Sequence, residues 1–331
     1  MKKSIEVKAN LYFNNKPSEE VMKFFKELNL DLRLGDAGDS RGSKDGRDSR
    51  NSKNTFGVFP MIELKKEGSG KIRYYGYPEG LERKVIVEIL KILKNEESFE
   101  EDVMEKAELI KKARGAEFTI FVAPFCPHCS KVVKKLLQFA IVNPKIEVNV
   151  VDVTQFKELQ EKFGIMSVPV ILVDQKIRVT GEKSLKELLE LAEKSNDPDY
   201  ISEYIVEMIK DGKAGELSYM ILNMEFDRVL PKLFKEDDLF LRLGVMYLLE
   251  ELSEKNRDLE GLRLKIVSLL QDDDPRVRED AIMALGKIGG ENELKILEEL
   301  LIEESDEIKE AVVEAIEEIR ERIGSGKKRS Y

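Results

Sequence analysis

Two cysteines and one histidine occur in the 331 residues, and all three lie in one tetrapeptide, Cys126-Pro127-His128-Cys129. The run Thr119-Ile120-Phe121-Val122 leads into it as an apolar strand, and Ala123-Pro124-Phe125 turns the chain. Pro127 suits the first turn of a helix, because its φ is preset and its missing N–H is not needed there. Cys126 is therefore expected at a helix N-terminus, where free N–H groups and the macrodipole favour an anion. The anion wanted is a thiolate, and cysteines so placed ionise near pKa values of about 3.5–7.5 instead of about 8.5. Cys129, one turn further in, is expected to be more buried. The pattern reads as a redox pair in which Cys126 attacks and Cys129 resolves. His128 can donate to the thiolate or place positive charge beside it, which stabilises the reduced form and makes the disulfide more oxidising. A lone C-x-x-C also fits a structural disulfide or half of a zinc site. The strand before it and the helix after it favour redox chemistry.

The same scarcity excludes other chemistry. A Ser-His-Asp triad would have to use His128. A self-contained four-ligand Cys/His zinc site lacks ligands, and a secreted disulfide framework needs more cysteines. No metal or cofactor is expected. The net charge of −10 argues against a broad nucleic-acid surface, and Lys327-Lys328-Arg329 reads as a solvated end. No stretch approaches the roughly 18 apolar residues needed to span a membrane, and Met1-Lys2-Lys3-Ser4 has no apolar segment behind it. A cytoplasmic protein is expected, without membrane or nucleic-acid partners. The charged fraction of 36%, dominated by Lys and Glu, suits a hot habitat.

Two duplications organise the chain. In the first, Lys71-Ile72-Arg73-Tyr74-Tyr75-Gly76 echoes Lys176-Ile177-Arg178-Val179-Thr180-Gly181. Each lies downstream of an apolar run entered through a proline, Phe59-Pro60-Met61-Ile62 and Val168-Pro169-Val170-Ile171, and Gly68-Ser69-Gly70 or Asp174-Gln175 reads as the hairpin turn between. Each copy begins with a strand, 5–13 and 118–125, followed by a helix, 18–28 and 130–139. Each ends in an amphipathic helix, with Leu81, Val85, Ile89 and Ile92 on one face in the first and Leu185, Leu188, Leu189 and Ala192 in the second. In the second copy Ile146–Val151 and Gln155–Phe163 add a strand and a helix, completing the order of a thioredoxin fold. In that fold a proline placed like Pro169 is cis, faces the dithiol, and frees the Val168 backbone to pair with a substrate strand; X–Pro is the only cheap cis peptide. The expected units are 1–98, without cysteine, and 116–195, with a linking helix over 99–115. Residues 36–54 hold almost nothing apolar and are expected to be a disordered loop.

The second duplication is helical. Asp274-Pro275-Arg276-Val277-Arg278 opens a helix with Ala281, Ala284, Leu285 and Ile288 on its apolar face, and Ser305-Asp306-Glu307-Ile308-Lys309 opens another with Val312, Ala315, Ile316 and Ile319. Leu241, Val245, Leu248, Leu249 and Leu252 hold the matching places upstream. Leu269-Leu270 and Leu300-Leu301 mark a preceding helix in each pair. Helix pairs repeating at roughly this period form an α-solenoid. Asp-Pro-x-Val-Arg resembles the opening of HEAT repeats. A HEAT-like domain is expected over 196–325, with a flexible tail at 326–331. The expected class is thus tandem α/β thioredoxin-like folds followed by an all-α solenoid.

Residues 1–194 resemble the tandem thioredoxin-fold, glutaredoxin-like protein disulfide oxidoreductases of hyperthermophiles, through 71–80 and Phe125-Cys126-Pro127-His128-Cys129. The layout is also similar to the N-terminal domain of the alkyl hydroperoxide reductase flavoprotein. The resemblance implies disulfide exchange with protein clients, with a thioredoxin-reductase-like flavoenzyme or a peroxiredoxin as electron partner. It implies catalytic roles for Cys126, Cys129, His128, Pro127 and Pro169, and substrate contact by Phe125 and Val168. Three departures stand out. Phe13-Asn14-Asn15-Lys16-Pro17 replaces a dithiol in the first unit, Phe125 replaces Trp before the nucleophile, and no carboxylate lies near Ile120 to deprotonate Cys129. The expected function is a thiol–disulfide oxidoreductase whose helical repeats recruit the client. The alternatives are a HEAT-type scaffold with the dithiol as a redox switch, or a metal site bridging two chains through Cys126 and Cys129.

Overall fold

The computed structural model describes residues 7–13, 17, 19–27, 31–36, 54–220, 222–255, 257–303 and 305–328. The chain forms two compact units, 1–196 and 197–331.

The first unit contains, in order, β1 (Lys8–Phe13), α1 (Glu19–Glu27), β2 (Asp31–Asp36), β3 (Met61–Lys65), β4 (Lys71–Tyr75) and α2 (Gly80–Leu93). Two short helices follow, α3 (Glu101–Glu105) and α4 (Ala107–Lys112). Then come β5 (Glu117–Val122), α5 (Pro127–Val142), β6 (Glu147–Asp152), α6 (Lys157–Lys162), β7 (Val170–Val173), β8 (Ile177–Thr180) and α7 (Leu185–Lys194). The strands form one sheet in the order β2-β1-β3-β4-β6-β5-β7-β8. Each half repeats the same pattern. β1 pairs parallel with β2 and antiparallel with β3, and β5 pairs parallel with β6 and antiparallel with β7. The hairpins β3–β4 and β7–β8 close the two halves, and Asp174 and Gln175 both take the positive φ that a tight two-residue hairpin requires. The halves join where β4 lies parallel to β6, with Lys71 opposite Glu147 and Tyr75 opposite Val151.

Internal symmetry extends to single bonds. Phe59–Pro60 and Val168–Pro169 are both cis. The Pro60 and Pro169 carbonyls each accept a hydrogen bond at 2.9 Å, from the N–H of Gly76 and of Gly181. A polar row crosses the seam in register: Asn10, Glu63, Arg73, Asn149 and Thr119 lie side by side on five neighbouring strands. Glu63, Arg73, Asn149 and Thr119 are buried. Arg73 donates to Glu147 at 3.2 Å and to Asn149 at 3.4 Å, and its Nε lies 3.8 Å from Glu63. Beside this row, Met61 and Tyr75 of the first half share one apolar cluster with Phe121, Val151, Phe163 and Val170 of the second. Phe56 packs edge-on against both Tyr75 and Phe163.

Two expectations need correction. The linking helix over 99–115 is two helices, because the chain leaves helical geometry at Lys106 (φ −99°, ψ 9°). Each piece buries one anchor, Val103 or Ile110. The buried Asn143 amide ends α4 by donating to the carbonyls of Ile110 at 2.7 Å and Ala113 at 3.1 Å. At the C-terminus, residues 326–328 continue a helix where a flexible tail was expected. Of the expected loop over 36–54, Asp36 ends β2, and the Asn54 side chain accepts from the N–H groups of Phe56 and Gly57; positions 37–53 lie outside the described residues, as do Asn14, Asn15 and Lys16.

The second unit is helical: α8 (Pro198–Lys210), α9 (Ala214–Leu217), α10 (Asn223–Leu233), α11 (Leu239–Glu254), α12 (Glu260–Val267, extended by a 3₁₀ turn at Ser268–Gln271), α13 (Pro275–Ile288), α14 (Glu291–Glu303) and α15 (Asp306–Lys328). α11 packs on α13 and α13 on α15. Their buried faces are Val245, Leu248 and Leu249; Ala281, Ala284 and Leu285; and Val312, Ala315 and Ile316. Asp238 and Asp274 cap α11 and α13 through the N–H groups of Leu241 and Arg276, and Pro275 occupies the first turn. Among the described residues no helix is long and apolar enough to cross a membrane.

Candidate redox site

The site forms at the start of α5. Cys126 is the N-cap residue, in extended geometry, and its Sγ accepts the backbone N–H of Cys129 at 3.1 Å. Pro127 follows as the first helical residue. The two cysteines are joined as a disulfide with Cα atoms 5.2 Å apart. Their environments differ: Cys126 is partly exposed, whereas Cys129 is fully buried.

The loop before β7 completes the surroundings. The Val168 carbonyl lies 4.0 Å from the Cys126 sulfur, and the Val168–Pro169 bond is cis with Pro169 buried. Cys126, Cys129, Val168 and Pro169 are thus brought together. Two apolar side chains of the same two segments are exposed, Phe125 at 80% and Met166 at 94%. Phe125 is expected from the sequence, whereas Met166 is not.

His128 is placed differently from the sequence expectation. Its exposed ring lies with Nδ1 3.2 Å from the Glu182 carboxylate, not on the sulfur. Glu182 also sits 3.5 Å from Lys131 and 3.8 Å from Lys135. The hydrogen bond with His128, followed by the lysine charges, holds the Glu182 carboxyl below its ordinary range.

Sequence reasoning missed Glu82. It lies at the start of α2, is fully buried, and neither carboxylate oxygen has a hydrogen-bond partner in another residue. Burial pushes its pKa up to about 7, and the negative charge of Asp152 adds to the shift. Its neighbours touch the turn that carries Cys126. The N–H of Leu81 donates to the Pro124 carbonyl at 2.8 Å, and a Cβ on Gly80 would meet that oxygen at 2.3 Å. α2 and α5 also pack together. The signal was present in the sequence: Glu82 is spaced with Val85, Ile86 and Ile89 at i+3, i+4 and i+7, so it lies on an apolar helix face. Among the described residues, no group of three or more His, Cys, Asp or Glu side chains is arranged to hold a metal ion.

The thioredoxin domain family model matches residues 116–193, and the HEAT-repeat model matches 231–317. Residues 116–193 are a thioredoxin domain. With its Cys126–Cys129 disulfide, this domain gives the chain a thiol–disulfide redox function. The F component of the alkyl hydroperoxide reductase of Pseudomonas aeruginosa is 28% identical over 133 residues, covering 39% of this chain. The match spans only 25% of that relative's length. Among solved structures, the N-terminal domain of alkylhydroperoxide reductase AhpF from Enterococcus faecalis is 25% identical, with a TM-score of 0.44, over 57% of this chain and 92% of that one. A protein disulfide oxidoreductase from Aeropyrum pernix is 20% identical, with a TM-score of 0.44, over 59% and 87% of the respective chains.

Proposed function

We propose that the chain is an oxidoreductase that exchanges disulfides with protein clients through Cys126 and Cys129, and that its helical-repeat region recruits them. The observation that carries this reading is the asymmetric pair at the start of α5, one sulfur partly exposed and one buried, beside the Val168 backbone. In the reduced chain the Cys126 thiolate attacks one sulfur of a client disulfide. A mixed disulfide forms, and the other client sulfur leaves as a thiolate. Cys129 then loses its proton and attacks the Cys126 sulfur, closing Cys126–Cys129 and releasing the second client thiol. Two electrons pass from the chain to the client, and the reverse sequence oxidises a client dithiol. Glu82, ionising near pH 7 beside the active turn, is the proposed acceptor of the Cys129 proton. Phe125, Met166 and the Val168 carbonyl form the surface against which the client strand lies. Pro127 presets the helix start, and Pro169 holds the Val168 backbone toward the sulfur. His128, turned toward Glu182, is proposed to tune the pair from beside it without touching the sulfur.

The unit boundaries belong to the same proposal: 1–98, 116–195 and repeats over 196–325. So do a thioredoxin-reductase-like flavoenzyme or a peroxiredoxin as electron partner, and a hot habitat indicated by the Lys/Glu-rich composition. A cytoplasmic setting fits as well, since a chain with a single cysteine pair needs no oxidising compartment to fold. The test is insulin reduction by the full chain with dithiothreitol as donor, together with Cys129→Ser trapping of mixed disulfides from cell extract. Catalysis that disappears in Cys126→Ser supports the reading; no acceleration over dithiothreitol alone rejects it.

One observation favours a second reading, a scaffold switched by the dithiol. Helix α11 exposes Leu239, Phe240, Leu243 and Tyr247 together on its solvent side. On that reading, partner capture changes between oxidised and reduced full-length chain while insulin reduction is absent.

A further inference from the structure

A cleft of about 480 Å³ lies between α2 and α5, beginning at Ser130, immediately after Cys129. Leu81 and Val85 give it an apolar wall. Its charged lining is uneven: Lys84, Lys131, Lys134 and Lys135 face two carboxylates, Glu88 and Glu100. One lysine engages both acids, since Lys134 lies 2.9 Å from Glu88 and 3.3 Å from Glu100. Lys131 and Lys135 share the single carboxylate of Glu182. Lys84 is exposed and makes no ion pair among the described residues. Four lysines thus meet three carboxylates, Glu88, Glu100 and Glu182, so Lys84 is the cation left over beside the redox pair of a chain whose net charge is −10.

We propose that this cleft receives the part of a client polypeptide flanking its reactive cysteine, and that this part carries aspartate or glutamate next to an apolar residue. The proposal rests on the exchange reaction above and names its substrate class. From Ser130 to Lys135 the helix rises about 8 Å, the reach of two or three extended residues. The acidic positions therefore lie within about five residues of the client cysteine. The apolar residue sits against Leu81 and Val85, and the carboxylates complete the charges of Lys84, Lys131 and Lys135. Attraction of this kind acts on encounter and weakens as salt screens it.

The test uses reduced full-length protein and two synthetic peptides, each with one cysteine capped as a thionitrobenzoate mixed disulfide. One has Asp and Glu around a Leu near the cysteine; the other has Lys in their places. Hydroxyethyl disulfide is the neutral reference. The readout is the ratio of second-order rate constants, acidic over basic peptide, so a general loss of reactivity divides out. The native ratio is expected to be about tenfold or more at low ionic strength, to fall toward one at high salt, and to fall toward one in K84E/K135E. A native ratio near one, with hydroxyethyl disulfide still reduced, overturns the inference and leaves the exchange reaction standing. A high ratio unchanged in K84E/K135E overturns the assignment to this cleft. If all three disulfides are inert, the exchange reading falls and this inference falls with it.

Discussion

The two halves of the first unit share a strand order, a cis-proline before the third strand and a glycine N–H bonded to that proline's carbonyl, yet only one half carries cysteine. The repeated features are those that shape backbone, and the feature present once is the one that does chemistry. The first half still borders the site. It supplies β4 as the neighbour of β6, the packing of α2 on α5, and the unpartnered carboxylate of Glu82. A half-molecule without a dithiol thus packs against the half that has one and carries the proposed proton acceptor.

The largest expected effect tests the chemical difference. Cys126→Ser should remove insulin reduction entirely while leaving the circular dichroism spectrum unchanged; any residual catalysis would mean that Cys129, the one thiol left, attacks the client itself. Next comes the seam. Arg73→Met leaves the buried Glu63 carboxylate with Lys65 and Asn10 alone and takes a donor from Asn149, and should cost about 1–3 kcal/mol in urea unfolding, with part of it recovered in Glu63→Leu/Arg73→Met. If the single change costs nothing, the polar row does not bind the halves together. Third, Gly80 has φ +52° and no room for a Cβ against Pro124. Gly80→Ala should lower stability by about 2–3 kcal/mol and slow exchange, because strain at the start of α2 reaches the Cys126 turn.

The smallest effect concerns Glu82 and has a definite pH sign. Its carboxyl ionises near 7 in the folded chain, against an ordinary 4.5, so the folded state keeps a proton that the unfolded state releases between these values. The contribution of Glu82 to stability is therefore fullest below about 4.5 and is lost as pH rises toward and through 7. Glu82→Gln should be more stable than the native chain by about 1 kcal/mol at pH 8 and equal to it at pH 4. The same variant should accumulate the mixed disulfide, measured by acid quenching, because Cys129 loses its proton acceptor. Stabilisation without accumulation would leave Glu82 a structural residue.

Much of this was legible in the chain itself. The redox pair could be read because strand, turn, Pro127 and helix are contiguous, and the duplication because Pro60 and Pro169 each precede an apolar run and a Lys-Ile-Arg echo. The solenoid showed through Asp274-Pro275 and the spacing of Ala281 with Leu285. What stayed hidden is non-local. No local pattern tells that β4 will pair with β6, since parallel pairing joins segments far apart in sequence. Glu82 escaped because it lies in the other half, on the helix that packs against α5. His128 sits where expected along the chain, but its partner, Glu182, comes from the segment after β8. The break at Lys106 was invisible because helical propensity runs through it, whereas the Asn143 amide that stops α4 comes from the end of α5.

The β4–β6 junction has a practical consequence for anyone shortening the chain. A fragment keeping only the thioredoxin domain would turn β6 from an interior strand into a bare margin, with the N–H and C=O groups of Glu147–Val151 open to whatever strand arrives first. The visitor nearest at hand at laboratory concentrations is another copy of itself. The half without cysteine is, in this sense, the cover of that edge of the redox half.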